Sequence, residues 1–308
     1  MVCENVLQAI GNTPLIKING FTNENDATIY AKAEFLNVGG SIKTRTAYNM
    51  VECAIKRGEL KSDCIIVEPS SGNQGIGLAL VCAVLGLKLI VIMPDSVSVE
   101  RRKIIMQYGA EVRLVKDDGN IGECIKKCIR MAKNMKKNNP NVFLPNQFFN
   151  KDNPNAHELG TAQEIFKDLN GNVHGLCLGV GSGGTISGVG RALKVKNPSV
   201  QIWAVEPENS AVLSGGKSGT HIQMGIGDGI IPKVLDRKII DRIIKVSDEN
   251  ALSCAKALAK TNGLLCGISS GSNICASIQL AKLLGKGKNV VTVLPDTGER
   301  YFSTALFD

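Results

Sequence analysis

A lysine closing the segment Gly39-Gly40-Ser41-Ile42-Lys43 places an amine beside backbone that a flat ligand can approach closely. Once burial has removed its proton, such an amine condenses with a carbonyl to form a Schiff base. Two further segments supply donors for anions. Ser70-Ser71-Gly72-Asn73-Gln74-Gly75 offers hydroxyls, amides and backbone N–H groups at the expected start of a helix, which suits a carboxylate. Gly179-Val180-Gly181-Ser182-Gly183-Gly184-Thr185 sits between a strand pattern and a helical pattern, which suits a phosphate. An amine nucleophile, a carboxylate loop and a phosphate loop together imply pyridoxal phosphate working on an amino acid, with the protein supplying grip and electrostatics.

Taken singly, each segment has an ordinary reading as a solvated lysine, an N-capped loop or a strand-ending turn. The third also satisfies G-x-G-x-x-G, and Glu206 closes the next strand near the distance expected of a ribose-binding acid. An NAD-dependent dehydrogenase is therefore the competing chemistry, although it leaves the Lys43 and Asn73 segments unexplained. Two late segments can reach a cofactor ring, Gly267-Ile268-Ser269-Ser270-Gly271 and Leu294-Pro295-Asp296-Thr297-Gly298-Glu299-Arg300. A hydroxyl from Ser269 would leave a pyridine nitrogen neutral, while the Asp296 carboxylate would hold it protonated. Residue types alone allow both.

Short β-branched runs at 28–33, 64–68, 88–93, 112–115, 176–180, 201–205 and 289–294 alternate with helical patterns at 46–57, 75–85, 97–108 and 185–194. That alternation predicts an α/β fold with largely parallel sheets and puts the three candidate loops where strands give way to helices. No Pro/Gly/Ser linker marks a domain boundary, and the best breaks are 138–141 and 150–155.

The chain has 308 residues, enough for one large or two ordinary domains. Its ten cysteines are scattered, several of them inside apolar runs, and read as small core hydrophobes. Cys124 and Cys128 have helical spacing, and His157, His174 and His221 join no second ligand at a recognisable interval, so no metal is expected. Much of the net charge of +8 lies on one face of an amphipathic helix, around Lys126, Lys127, Arg130 and Lys133. A solvated face explains this better than nucleic-acid binding, which calls for interleaved aromatics. Neither a signal peptide nor a membrane-spanning run is evident, and a cytoplasmic location is expected.

With the motifs in order, the chain resembles the cysteine synthase and cystathionine β-synthase family of fold-type II pyridoxal-phosphate enzymes, whose fold is tryptophan synthase β-like. The resemblance runs almost end to end and also takes in Ile10-Gly11-Asn12-Thr13-Pro14-Leu15, Met93-Pro94-Asp95, Gly225-Ile226-Gly227 and Gly298-Glu299-Arg300-Tyr301. It implies two domains, each a largely parallel sheet flanked by helices. Residues 1–45 and 147–308 would form the larger, and 46–146 a smaller mobile domain that closes on substrate.

By matching position, Lys43 would hold the cofactor, Asn73 its phenolic oxygen, Gly181, Ser182, Gly183, Gly184 and Thr185 its phosphate, and Ser269 its ring nitrogen. Ser70, Ser71, Asn73, Gln74 and Gln147 would receive the substrate carboxylate. The implied reaction is a β-replacement. The amino acid displaces Lys43, the freed lysine takes the α-proton, the β-substituent leaves an aminoacrylate, and a nucleophile adds. Acetylserine with sulfide would give cysteine; cysteine as donor would release sulfide. The resemblance further implies a homodimer and permits docking of a serine acetyltransferase.

The sequence departs from the usual cysteine synthase pattern at Val38, Thr44 and Gln74, and most pointedly at Asp228, where a small residue is usual. A carboxylate there could act as a base toward water and so convert cysteine to serine. Its ordinary alternative is an exposed Asp-Gly turn.

Overall fold

The computed structural model describes residues 2–308. Ten strands form two sheets: β1 (Leu15–Ile18), β2 (Thr28–Ala33), β3 (Ile65–Pro69), β4 (Lys88–Pro94), β5 (Glu111–Val115), β6 (Val142–Phe143), β7 (Gly175–Gly179), β8 (Gln201–Pro207), β9 (Arg242–Val246) and β10 (Asn289–Leu294). One sheet has the order β1-β2-β10-β7-β8-β9, parallel except for the β1–β2 pair; the other, β5-β4-β3-β6, is wholly parallel. This is the α/β architecture that the alternation predicts. Strands β3 to β6 lie consecutively within the chain, whereas the six-stranded sheet takes strands from both sides of them and pairs Thr28–Ala33 directly with Asn289–Leu294.

The helices that matter for the site are α1 (Lys43–Lys56), α2 (Asn73–Leu85), α3 (Val99–Gln107), α4 (Ile121–Asn138), α5 (Asp152–Ala156), α6 (Ala162–Asp168), α7 (Gly184–Lys196), α8 (Asp248–Asn262) and α9 (Ile268–Leu284). They cover both faces of each sheet, which is why the strands read as continuous apolar runs. In the larger sheet Trp203 and Val205 pack toward α8 and α9, while Ile202 and Ala204 pack toward α7. In the smaller, Val91 and Met93 face α1 and α2, while Ile90 and Ile92 face α4. Helix α4 starts on Asn120, whose side chain accepts from the Glu123 N–H, and it buries Cys124, Ile125 and Cys128 with its lysines outward, as its amphipathic pattern predicts.

Three helices begin earlier than their periodicity suggests: α1 at Lys43, α2 at Asn73 and α7 at Gly184. In each case the motif residues make the first helical turn, so the chemistry sits on rigid backbone with free N–H groups rather than on a loop before it. Strands β1 and β9 escape sequence reading because each is a four- or five-residue edge with polar residues interspersed. A buried ion network, Arg45 with Glu34 at 2.9 Å and with Glu164 at 2.5 Å, fastens α1 to the N-terminal segment and to α6. No helix of the described residues is long and apolar enough to cross a membrane.

Candidate active site

Gly39 and Gly40 both have left-handed backbone (φ +75° and +68°), which turns the chain into α1 and presents Lys43 on its first turn. A Cβ on Gly77 would lie 2.9 Å from the Lys43 carbonyl oxygen, so α2 crosses closely there. Burial pulls the Lys43 pKa below the ordinary lysine value, against the opposing pull of Asp228 and Asp296.

The loop after β3 is held from within. Ser70 Oγ accepts from the Gly72 and Gly75 N–H groups at 3.0 and 3.1 Å, which shapes the turn that starts α2. Glu68, wholly buried on β3, accepts from the backbone N–H groups of Asn146 and Gln147 at 2.8 and 3.1 Å and so brings Gln147 beside the loop. Asn73 donates to Asp296 Oδ2 at 2.7 Å and accepts from Arg300 at 2.6 Å. Gln74 is buried with neither its amide oxygen nor its nitrogen bonded.

Gly181 to Thr185 join β7 to α7. A Cβ on Gly181 would run into the Gly225 carbonyl oxygen, one on Gly184 into the Asn153 amide, and Gly183 is left-handed at φ +79°. Asn153 Nδ2 donates to Ser182 Oγ at 3.0 Å, and the His157 ring lies 3.4 Å from Thr185 Oγ1 and 3.1 Å from Thr46 Oγ1. The result is a cup of backbone N–H groups at a helix N-terminus.

One cavity gathers these groups, about 800 Å³ of atom-free space when the open solvent at its mouth is included. Its walls include Lys43, Ser70, Ser71, Asn73, Gln74, Gln147, Gly181, Ser182, Gly183, Thr185, Asp228 and Ser269; of the site residues that the resemblance implies, Gly184 alone stands behind the wall. Ser269, on the first turn of α9, lines the cavity, whereas Asp296 does not and spends its Oδ2 on Asn73 and on the Tyr301 hydroxyl at 2.8 Å.

A family of proteins described as pyridoxal-phosphate dependent enzymes matches residues 6–296. The cysteine synthase of Staphylococcus aureus (strain Mu50) is 48% identical over 305 residues, which is 99% of this chain and 97% of that protein. The chain belongs to the cysteine synthase family of pyridoxal-phosphate-dependent enzymes. Among solved structures, a hydrogen sulfide-producing enzyme from Fusobacterium nucleatum superposes with a TM-score of 0.92 at 41% identity, covering 97% of this chain and 100% of that one. An O-acetylserine dependent cystathionine beta-synthase from Helicobacter pylori gives 0.93 at 37% identity, covering 100% of both chains.

The cofactor of this cysteine synthase relative is therefore pyridoxal phosphate. The donor set fits it: a glycine cup with no room for a Cβ, and an amine with a lowered pKa on the same cavity. The dinucleotide alternative fails with the family assignment. Glu206, which it needs for a ribose, is buried and accepts from the backbone N–H groups of Leu213 and Ser214 at 2.8 and 3.1 Å.

Asp228 is no exposed turn. It is 9% accessible, within a segment whose glycines 225, 227 and 229 all have positive φ, and it lines both the main cavity and an adjoining one toward His221 and Ile121. Burial raises its pKa, with His221 and Lys43 pulling the other way. His221 accepts from the Gln223 N–H at Nδ1, so its Nε2–H donates to the Gly227 carbonyl at 3.0 Å and steadies that segment. Sequence reasoning did not single out Glu68, Asn153, His157 or Asn273 for the site. Asn273 bonds the Gly179 N–H and the Val293 carbonyl, both at 2.7 Å, and so ties β7 to β10 beneath the cavity. These four act through groups distant in sequence, backbone for Glu68 and Asn273 and side-chain hydroxyls for Asn153 and His157, and no local spacing announces them.

Proposed function

We propose that this enzyme carries out β-replacement on a cysteine- or serine-type amino acid, and that with cysteine it releases hydrogen sulfide and adds water to form serine. The observation that carries this reading is the buried Asp228 carboxylate on the same cavity as the Lys43 amine. The kinship to a hydrogen sulfide-producing enzyme supports it. Pyridoxal phosphate, when bound, supplies the electron sink that lets the α-proton and the β-substituent leave.

The chain's own residues do the rest. Backbone N–H groups of Gly181 to Thr185 at the N-terminus of α7 hold the phosphate. Ser71, Asn73, Gln74 and Gln147 receive the substrate carboxylate, with Ser70 shaping the loop from within. Ser269 offers a neutral hydroxyl to the ring nitrogen. Lys43 Nζ, held free of its proton by burial, takes the α-proton. The carbon–sulfur bond breaks and sulfide departs as HS⁻ with the thiol's own proton; Asp228 then removes a proton from the water that adds to the β-carbon, and Lys43 returns the α-proton to complete serine. Segment 46–146 closes over the occupied site and excludes bulk water.

Asp228→Asn tests the assignment. Sulfide release in the first turnover should persist while serine formation falls by about a hundredfold, within the usual range for losing a general base. Undiminished serine formation would remove Asp228 from the mechanism and leave the biosynthetic reaction, acetylserine plus sulfide to cysteine, as the better reading. Burial holds the Asp228 pKa above its ordinary 3.8, so the acid limb of serine formation should lie above that value and vanish in the Asn variant. A homodimer, and competition at the 70–74 loop by the C-terminal carboxylate of a serine acetyltransferase, belong to the same proposal. Sedimentation of the pure enzyme and inhibition by a C-terminal peptide check them, and a monomer or an inert peptide would refute them.

A further inference from the structure

Beneath the 70–74 loop the charges do not balance. Arg101 on α3 and Arg300 are 1% and 2% exposed, and one carboxylate, Asp296, stands between them. Asp296 Oδ2 is already taken by Asn73 and Tyr301, and Arg101 Nη2 comes no nearer to it than 3.5 Å. Arg300 binds Asn73 Oδ1 and the Gly39 carbonyl. Burial lowers the Arg300 pKa, with Arg101 adding to the effect and Asp296 opposing it.

Arg101 is the poorly served member. Its Nη1 meets Ser98 Oγ at 3.0 Å and the Met224 sulfur, a weak acceptor, at 2.9 Å, and its guanidinium lies 4.5 Å from the centre of the Tyr301 ring. Both Nε and Nη2 are buried without a hydrogen-bond partner. Buried guanidinium groups are normally bonded and paired, because an unmatched buried cation is costly. This one borders the cavity that holds Lys43, and the amide of Gln74, also unbonded, borders it too. Gly72 lies against the Arg101 side chain so closely that a Cβ there would sit 2.8 Å from Nε and inside the reach of Cδ; its φ of +141° also excludes other residues.

We infer that Arg101 is a substrate-binding residue, the buried cation that answers the α-carboxylate of the incoming amino acid, with the Gln74 amide as its neutral companion. This rests on the reading that the 70–74 loop receives that carboxylate. It adds a full positive charge to a loop whose other donors are neutral, and it makes the net charge, rather than the shape, of the ligand's acid group the selected feature. The excess charge of the resting cluster is then cancelled in the complex.

The test titrates the holoenzyme with glycine and with glycinamide, which share an amine and differ in the carboxylate, by calorimetry. Arg101→Gln should weaken glycine by about 30-fold and glycinamide by less than about 3-fold, the range for a charged hydrogen bond. Equal losses for the two ligands, or none, overturn the inference and leave Arg101 a strut against Tyr301. Ser71→Ala separates the two readings. If it weakens glycine while Arg101→Gln does not, the carboxylate loop stands and Arg101 falls; if neither weakens glycine, both fall. A measurement on the unmutated holoenzyme covers the case in which Arg101→Gln does not fold. The Arg101 Nε–H resonance, assigned through its proximity to the Tyr301 ring, should shift with glycine and stay put with glycinamide, and an unmoved resonance with glycine refutes the inference.

Discussion

At the scale of single residues, glycines decide this site as much as the reactive side chains do. Lys43 and Asp228 carry the proposed proton transfers, but each is presented by segments that tolerate no Cβ or that need positive φ. Gly181 is the sharpest case, because a methyl group there would run into the Gly225 carbonyl oxygen, a backbone atom that cannot rotate away. Gly181→Ala should therefore displace the phosphate cup from the 225–229 segment, and the purified protein should lose most of its visible absorbance on dialysis. Full retention of the chromophore would mean that the two segments separate without cost. The chain places Asp228 in the same displaced segment, so the variant should also slow serine formation beyond what cofactor loss explains.

At the scale of elements, β3 does two jobs, starting the 70–74 loop at one end and fixing Gln147 through Glu68. Burial pushes the Glu68 pKa from 4.5 up to about 7, while the two backbone N–H bonds pull it down. Between those values the folded state holds a proton that the unfolded state has lost, so this group makes stability fall as pH rises from about 4.5 to about 7. The span is worth roughly 3 kcal/mol. Glu68→Gln should flatten that part of the thermal stability profile. It should also weaken amino-acid binding, since an amide presents only one acceptor to two N–H donors and Gln147 loses its support. A profile that keeps its slope would assign the titration to another group.

At the scale of the molecule, the cavity lies where loops from the two sheets meet, and its outer side is bridged by the 117–122 and 218–229 segments. Thr220 Oγ1 donates to the Gly119 carbonyl at 2.8 Å, and Gly122, on the first turn of α4, packs against Gly229, where a Cβ on Gly229 would lie 2.8 Å from the Gly122 Cα and one on Gly122 3.2 Å from the Gly229 Cα. The closure proposed for segment 46–146 would bring this seam together, with the two glycines facing each other across it. Gly122→Val should prop the seam open: amide exchange at 117–122 and 218–229 should stay fast when substrate is bound, and KM should rise several-fold with cofactor content unchanged. Protection equal to that of the unmutated enzyme would place the closing contact elsewhere.

Seven of the ten strands, helices α1, α2, α3, α4 and α7, the α/β class and the three loops that converge on the cavity were legible in the sequence, because each depends on local periodicity and on turn residues that act within a few positions. Lys43, Ser71, Asn73, Gln74, Gln147, Asp228 and Ser269 were named from such patterns and from resemblance, and the structure brings all seven to one wall. Tertiary structure decided what their neighbours make of them. It turned Glu206 toward Leu213 and Ser214, drew Asp296 onto Asn73 and Tyr301, and left Ser269 to line the cavity. It also buried Asp228, which a local reading allows to be an exposed turn, and set Arg101 beneath a loop thirty positions earlier in the chain. Burial and the pairing of charges depend on segments distant in sequence, and no spacing along the chain records which of them will meet.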